Sequence, residues 1–299
     1  MIVAAILDLQ LAFKVLQLRY WQHIVNESLK KNIFKVPVHC AFGHEAIAVA
    51  VSEMMDPLDR LVLSHRNIAY NLARSGRLQP VYDEYKHLPS GADGGHLGSM
   101  NLANPDRGVI YTSSILGNNM PVACGIALGH LMLKRDGIVT ALTGDGAMEE
   151  GTFYETLDIS RYQKLPLLLM IENNKFAMSS TISERRVPID VESMCRAFGT
   201  PYFFLTGNLV FDYAAKLKEI RGIITGDATP AVVEVDLSNL NRHAGPTPGW
   251  PSDPMNIDLK RGLIVQESAC DPVHVLKQKL DPEIFAGLEE KVFSENWSG

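Results

Sequence analysis

The sequence predicts an α/β fold, a parallel sheet with helices on both faces. Two observations carry this reading. Apolar runs of strand length stand at 138–143, 165–172 and 231–235, rich in Val, Leu, Ile and Thr. Helix-length stretches separate them, with no repeat or low-complexity linker between. A strand that returns through a helix runs parallel to the one before it, so such alternation buries a parallel sheet between helical layers. At 299 residues the chain is long for one domain but within range, and a single domain spanning 1–299 is expected.

Leu9, Phe13, Leu16, Tyr20 and Ile24 recur at helical spacing, so a helix over about 4–31 opens the chain. The apolar run 1–7 has no basic region before it, and Asp8, Lys14 and Arg19 break up the residues after it. An amphipathic helix fits better than a signal peptide or a membrane span. Residues 37–43 lead into a second helix at about 44–55. Residues 91–98 hold too many turn formers for regular structure. A small-residue helix at 121–134 is suited to close packing. The strand 138–143, the helix 150–163 and the strands 165–172 and 231–235 complete the pattern. Residues 179–190 and 241–258 read as exposed loops, and a short helical tail ends the chain.

Composition narrows the function classes. With 46% hydrophobic and 21% charged residues and a net charge of −6, the chain reads as a soluble globular protein. That balance argues against nucleic acid or an anionic membrane as the main partner. Cys40, Cys124, Cys195 and Cys270 are scattered, with no C-x-x-C pair, as expected of buried reduced thiols in a cytoplasmic protein.

The chemistry concentrates at two strand ends. The strand 138–143 runs into Thr143-Gly144-Asp145-Gly146-Ala147, and a helix comes next. Glycines let a backbone approach a phosphate, and a helix start offers free N–H groups. Asp145 puts a negative charge where the anion would sit, which makes sense only with a cation between them; Mg²⁺ takes carboxylate, neutral and phosphate oxygens together. The strand 165–172 runs into Asn173-Asn174, whose amides are neutral oxygen donors. In a right-handed βαβ unit both strand ends reach one edge of the sheet, so Asp145 and Asn174 can share one ion. Taken singly, each half is weak: Asp at such a turn is more often a helix cap. Together, at this spacing, they form a thiamine diphosphate signature. The G-x-x-x-x-G-K-[ST] loop and a G-x-G-x-x-G turn after a strand are both missing.

From about residue 5 to 280 the sequence resembles the alpha subunit of the first component of 2-oxo acid dehydrogenase complexes, of the pyruvate, branched-chain and acetoin type. The likeness rests on Gly43-His44-Glu45-Ala46, Ser64-His65-Arg66, Gly98-Ser99-Met100, Ser114-Ile115-Leu116-Gly117, the stretch 144–174 and the loop at His243. It implies a thiamine-diphosphate-binding fold. By that resemblance Asp145, Asn174 and the carbonyl of Phe176 ligate Mg²⁺, and Gly146 and Ala147 meet the diphosphate through N–H groups. Arg66 is the diphosphate-binding arginine, and its neighbour His65 stands where the family often has Tyr. Leu116 is the apolar wedge beneath the cofactor, with Ser114 beside it; without the family, plain core packing would be the reading for Leu116. His243 aligns with a loop histidine near the reacting carbon and is the candidate acid–base group, while His39 resembles a substrate-pocket histidine. His44 and His96 are read as helix or loop residues. Glu149 and Glu150 are read as acids near a helix N-terminus, and Glu155 resembles an acid near the subunit interface.

The implied reaction decarboxylates a 2-oxo acid and passes the acyl or aldehyde unit to an acceptor, a lipoyl-bearing acyltransferase being one such acceptor. Activation of the cofactor needs a Glu and a pyrimidine pocket in a second, similar domain, which transketolase-like single chains carry themselves. One diphosphate unit is visible here, so a beta subunit is implied, in an α₂β₂ assembly. Glu45 matches a helix start and not that Glu. Three departures fall away from the cofactor motif. The run Ser238-Asn239-Leu240-Asn241-Arg242-His243-Ala244 lacks the family's Ser after His, Asn101 stands where many relatives have His, and the 181–190 loop is short. They leave open a transketolase-like or acyloin-forming carboligase subunit. A non-catalytic scaffold is the other class, against which the intact Asp145, Asn174 and Arg66 speak.

Overall fold

A computed structural model of the chain describes residues 2–241, 243 and 257–295. Its elements are α1 (Ile2–Lys30), α2 (Glu45–Met54), β1 (Arg60–Ser64), α3 (Ile68–Ser75), α4 (Gln79–Tyr85), β2 (Val109–Ser113), α5 (Asn119–Met132), β3 (Val139–Gly144), α6 (Gly151–Tyr162) and β4 (Leu167–Asn173). Then come the two-residue strands β5 (Phe176–Ala177) and β6 (Ser180–Thr181), α7 (Ile182–Arg185), α8 (Val191–Phe198), β7 (Tyr202–Leu205), α9 (Val210–Asp227), β8 (Ala231–Asp236), α10 (Pro272–Lys279) and α11 (Pro282–Ser294).

Six strands form one sheet in the order β2-β1-β3-β4-β8-β7, every pair parallel. Side chains alternate across a strand, and the two faces sort cleanly. On β4, Leu168 and Met170 join a core that includes side chains of α1, α2, α3 and α9. Leu167, Leu169 and Ile171 join the opposite core, with residues from α5, α6 and α8. The expected α/β fold with helices on both faces is therefore the one found. No helix among the described residues is long and apolar enough to cross a membrane. Cys40, Cys124 and Cys195 are buried and Cys270 half-buried, and none of the four is in a disulfide.

Two buried polar networks shape the loops that reach the site. Arg19 on α1 is fully buried and donates to Glu45 Oε1 and Oε2 (2.6 and 3.0 Å), Asp271 Oδ1 and Oδ2 (2.9 and 3.1 Å) and the Leu263 carbonyl (2.8 Å). Glu45 also accepts from the Gly43 N–H at 2.9 Å, so the turn before α2 hangs on this cluster. Glu45 stands at the start of α2 and serves there as a structural anchor. Glu84, also fully buried, accepts N–H bonds from Asp93, Gly95, Leu97 and Gly98. A Cβ on Gly95 would sit 2.5 Å from the His87 backbone, and its φ is +80°, so this loop is glycine-rich by necessity.

Residues 179–190 depart from the exposed loop expected there: they contain β6 and α7, and the Arg185 side chain is only 11% exposed. The physical reason is charge, since Arg185 turns inward to Asp145 and Glu149. Of the expected loop 241–258, only 241, 243, 257 and 258 lie within the described residues.

Candidate active site

Parallel strands end on one edge, and four of them deliver their succeeding residues to one place. β1 leads into His65-Arg66, β2 into Ser114 to Gly117, β3 into Asp145 to Ala147, and β4 into Asn174. Register pairs Gly144 with Glu172, which sets Asp145 and Asn174 at neighbouring strand ends. Strand order reverses between β1 and β3, the switch point where open α/β sheets leave a crevice. A cavity of about 290 Å³ lies there, and every residue that the resemblance singled out for cofactor, metal or acid–base work lines it.

On the β3–β4 side, Asp145 is 1% exposed, and burial pushes its carboxyl above the ordinary value while the Arg185 hydrogen bond opposes that rise. A Cβ on Gly144 would meet nothing within 4 Å, whereas one on Gly146 would sit 2.7 Å from Ala177 Cβ. Gly146 is glycine because the segment after Asn174 packs across it. Asn174 Oδ1 accepts from the Phe176 N–H at 3.0 Å and keeps a second lone pair. A carboxylate and a neutral amide oxygen at adjacent strand ends suit a hard divalent cation. Leu116 is 52% exposed and Ile115 69%, so core packing is not the role of Leu116; an apolar side chain left in the open at a cavity suits a wedge under a ligand.

On the β1 side, Arg66 is 6% exposed and donates to the Cys40 carbonyl (2.5 Å), the His243 carbonyl (3.1 Å) and His243 Nδ1 (3.3 Å). His39, His65 and His243 pack ring on ring, with centroids 4.8 to 5.3 Å apart. Burial first, and then the Arg66 charge, push these imidazoles down, to about 2 for His39, 3 for His65 and 4 for His243. All three are therefore neutral at neutral pH. Arginine only donates, so the bond into His243 Nδ1 puts that ring's proton on Nε2. Ligand atoms of the three rings lie within 4.8 Å of one another, and in this tautomer His243 carries an N–H rather than a lone pair at Nε2. From that Nε2 the ring can donate a hydrogen bond.

Sequence reasoning missed several lining residues. His44, read as a helix or loop residue, is buried against the cavity, with Nδ1 2.9 Å from Glu172 Oε1 and Nε2 2.6 Å from Asn239 Oδ1. Tyr70 donates to the same Glu172 oxygen at 2.5 Å. Glu149, read as an acid near a helix N-terminus, precedes α6 by two residues and also binds Arg185 and Arg186. Glu155 is exposed, and His96 is an exposed turn residue as expected.

The model of the family described as "Dehydrogenase E1 component" matches residues 14–246. The chain belongs to that family. Among its curated relatives, the mitochondrial pyruvate dehydrogenase E1 component subunit alpha of Pisum sativum is 28% identical over 250 residues, covering 79% of this chain and 59% of that one. The alpha subunit of acetoin:2,6-dichlorophenolindophenol oxidoreductase of Bacillus subtilis is 26% identical over 222 residues, covering 74% and 66%. The chain thus spans about three fifths of the length of the pea relative. A transketolase variant from Pichia stipitis shares the fold, with a TM-score of 0.61 at 19% identity, over 96% of this chain and 44% of that one.

Proposed function

We propose that this E1 family member is the diphosphate-binding, alpha-type subunit of an enzyme that uses thiamine diphosphate and Mg²⁺ to decarboxylate a 2-oxo acid. The observation that carries the reading is the crevice in which Asp145, Asn174, Gly146 and Arg66 converge at the switch point. Asp145, Asn174 and the Phe176 carbonyl would hold the metal, and the Gly146 and Ala147 N–H groups with Arg66 would hold the diphosphate. Bound there, the cofactor supplies the carbon nucleophile that attacks the substrate carbonyl. Leu116 would bend the cofactor by filling the space beneath it, and Ser114 stands beside that wedge. His243, neutral and carrying its proton on Nε2, would donate to an oxygen that gains charge. Such a donor contributes on the order of 10²-fold in rate or more. His39 and His65 would line the substrate side, exclude water and keep His243 oriented.

A beta subunit in an α₂β₂ assembly would supply the activating Glu and the pyrimidine pocket, and a lipoyl-bearing acyltransferase would accept the acyl unit. The relatives' names support the E1 alpha reading. Isothermal titration of thiamine diphosphate with Mg²⁺ into the chain plus a beta-type partner tests it. Binding by wild type and a loss of at least about 100-fold in Asp145→Ala, about 2.7 kcal/mol, is the expected result. No binding by wild type, or undiminished binding by the variant, would overturn it.

A further inference from the structure

Residues 174–186 form a strap whose two ends meet the same site. It leaves β4 at Asn174, folds through the short β5–β6 pair, and returns to β3 through α7. Little apolar burial holds it, since Phe176 is 51% exposed and Met178 62%. Its turns also place Lys175 and Met178 at φ +67° and +53°, a conformation that costs a non-glycine residue about 1 kcal/mol. What anchors it is charge. Arg185 donates to Asp145 Oδ2 at 2.8 Å and to Glu149 Oε1, and Arg186 Nε lies 3.1 Å from the same Glu149 oxygen. The far end of the strap thus grips the acid that its near end would join around an ion.

We infer that Arg185 is a positioning residue: it holds the Asp145 carboxylate by one oxygen for the metal and latches the strap over the diphosphate turn. This rests on reading the site as a metal–diphosphate clamp. The guanidinium spans the two acids, one nitrogen on Asp145 Oδ2 and another on Glu149, and leaves the other Asp145 oxygen to the ion. Partners of this kind orient metal ligands, and losing one typically weakens metal affinity about 10- to 100-fold. Releasing the latch would also free the Phe176 backbone, which the strap holds beside Asn174. Ala177 on Gly146 is the contact that would open.

The test uses the full chain with its beta-type partner, Mn²⁺ in place of Mg²⁺, and thiamine diphosphate, with free Mn²⁺ read by electron paramagnetic resonance. Arg185→Ala is expected to weaken Mn²⁺ binding about 10- to 100-fold and to speed tryptic cleavage after Lys175. Arg185→Lys, which keeps the charge but not the fork, should recover part of that affinity. Turnover of Arg185→Ala at saturating metal should stay within a few-fold of wild type, since the latch acts through the ligand. Unchanged Mn²⁺ affinity, or tighter binding because Arg185 competes with the ion, overturns the inference alone. Failure of wild type to bind Mn²⁺ with thiamine diphosphate overturns the clamp reading and this one with it. If Arg185→Ala does not fold, the Lys variant decides: wild-type affinity and wild-type protection at Lys175 overturn the inference.

Discussion

Among the described residues Arg19, Arg185 and Arg221 each sit between two carboxylates, and the first two do opposite things. Arg19 lies between Glu45 and Asp271 with all three side chains fully buried. Every nitrogen of its fork is matched, and Glu45 and Asp271 spend their remaining capacity on the Gln22 amide and on backbone N–H groups of Gly43, Val265, Gln266 and Val273. Arg185 lies between Asp145 and Glu149, where Glu149 is 32% exposed and Asp145 faces the cavity. Among the described residues its Nε is buried without a hydrogen-bond partner. A closed charge network gains nothing from a ligand and serves as scaffold. An open one is held in register yet unfinished, which is the state that a binding site requires.

The largest effect should come from breaking the closed network. Arg19→Ala leaves Glu45 and Asp271 as buried, uncompensated charges, and losing one partner of such a pair costs about 3–5 kcal/mol. Urea denaturation should show that loss in full with no cofactor present. A cost below about 1 kcal/mol, the range of exposed pairs, would erase the distinction drawn between the two networks. The turn bearing His39, Cys40 and His44 hangs on this cluster through Gln22 and Glu45, so cofactor affinity should fall with it.

The Glu172 cluster stands between these extremes, buried like the first and lining the cavity like the second. Tyr70→Phe removes one donor from a buried carboxylate that keeps His44. A hydrogen bond to a charged group contributes about 1.5–3 kcal/mol, so the expected loss in urea lies there. Thiamine diphosphate affinity should drop only a few-fold, because Tyr70 does not reach the cavity wall. A loss of affinity as large as that of Asp145→Ala would place Glu172 among the cofactor's own contacts.

Legibility in the sequence divides along the same line. The turn from Gly144 to Ala147 and the Asn174 amide are readable because strand ends in a parallel sheet carry their chemistry on consecutive residues. The sheet's centre is readable too, since β3, β4 and β8 are apolar runs buried on both faces. β1 and β7 are not: Arg60 and Ser64 flank an apolar run of only three residues in β1, and β7 is a four-residue strand at the sheet's edge. Partnerships across long separations are also hidden. Arg19 and Asp271 are 252 positions apart, His44 and Glu172 128, and Arg185 and Asp145 40. Each residue looks like an ordinary surface charge or helix residue until the fold brings its partner. The segment 179–190 reads wrongly for that reason, because polar residues without a pattern predict a loop whether or not a buried acid awaits them.

The smallest expected effect concerns two histidines beside buried arginines, one at Arg19 and one at Arg66. His23 lies beside Arg19 and is pushed down to about 3 by burial and then by that charge; His65 lies beside Arg66 and is pushed to about 3 for the same two reasons. The sign is fixed by comparison with the unfolded chain, whose histidines take up protons near about pH 6.5. The folded protein does not protonate these rings until the pH is far lower. Their contribution to stability is therefore fully present above about pH 6.5 and is lost as the pH falls from there toward the folded values. Replacing either ring by Gln removes at most one proton from the pH dependence, about 1.4 kcal/mol per pH unit. Melting between about pH 6.5 and 5.5 should then show a shallower decline in both variants. At about pH 8, where neither ring is charged folded or unfolded, the two should part. His23 is 1% exposed and packed edge-on against Phe42 at 5.1 Å, so His23→Gln loses packing and melts lower. His65 lines the cavity, and His65→Gln should melt as wild type does. Equal losses at that pH would mean that the open side of the molecule is packed as tightly as the closed one, and that the cavity histidines are scaffold after all.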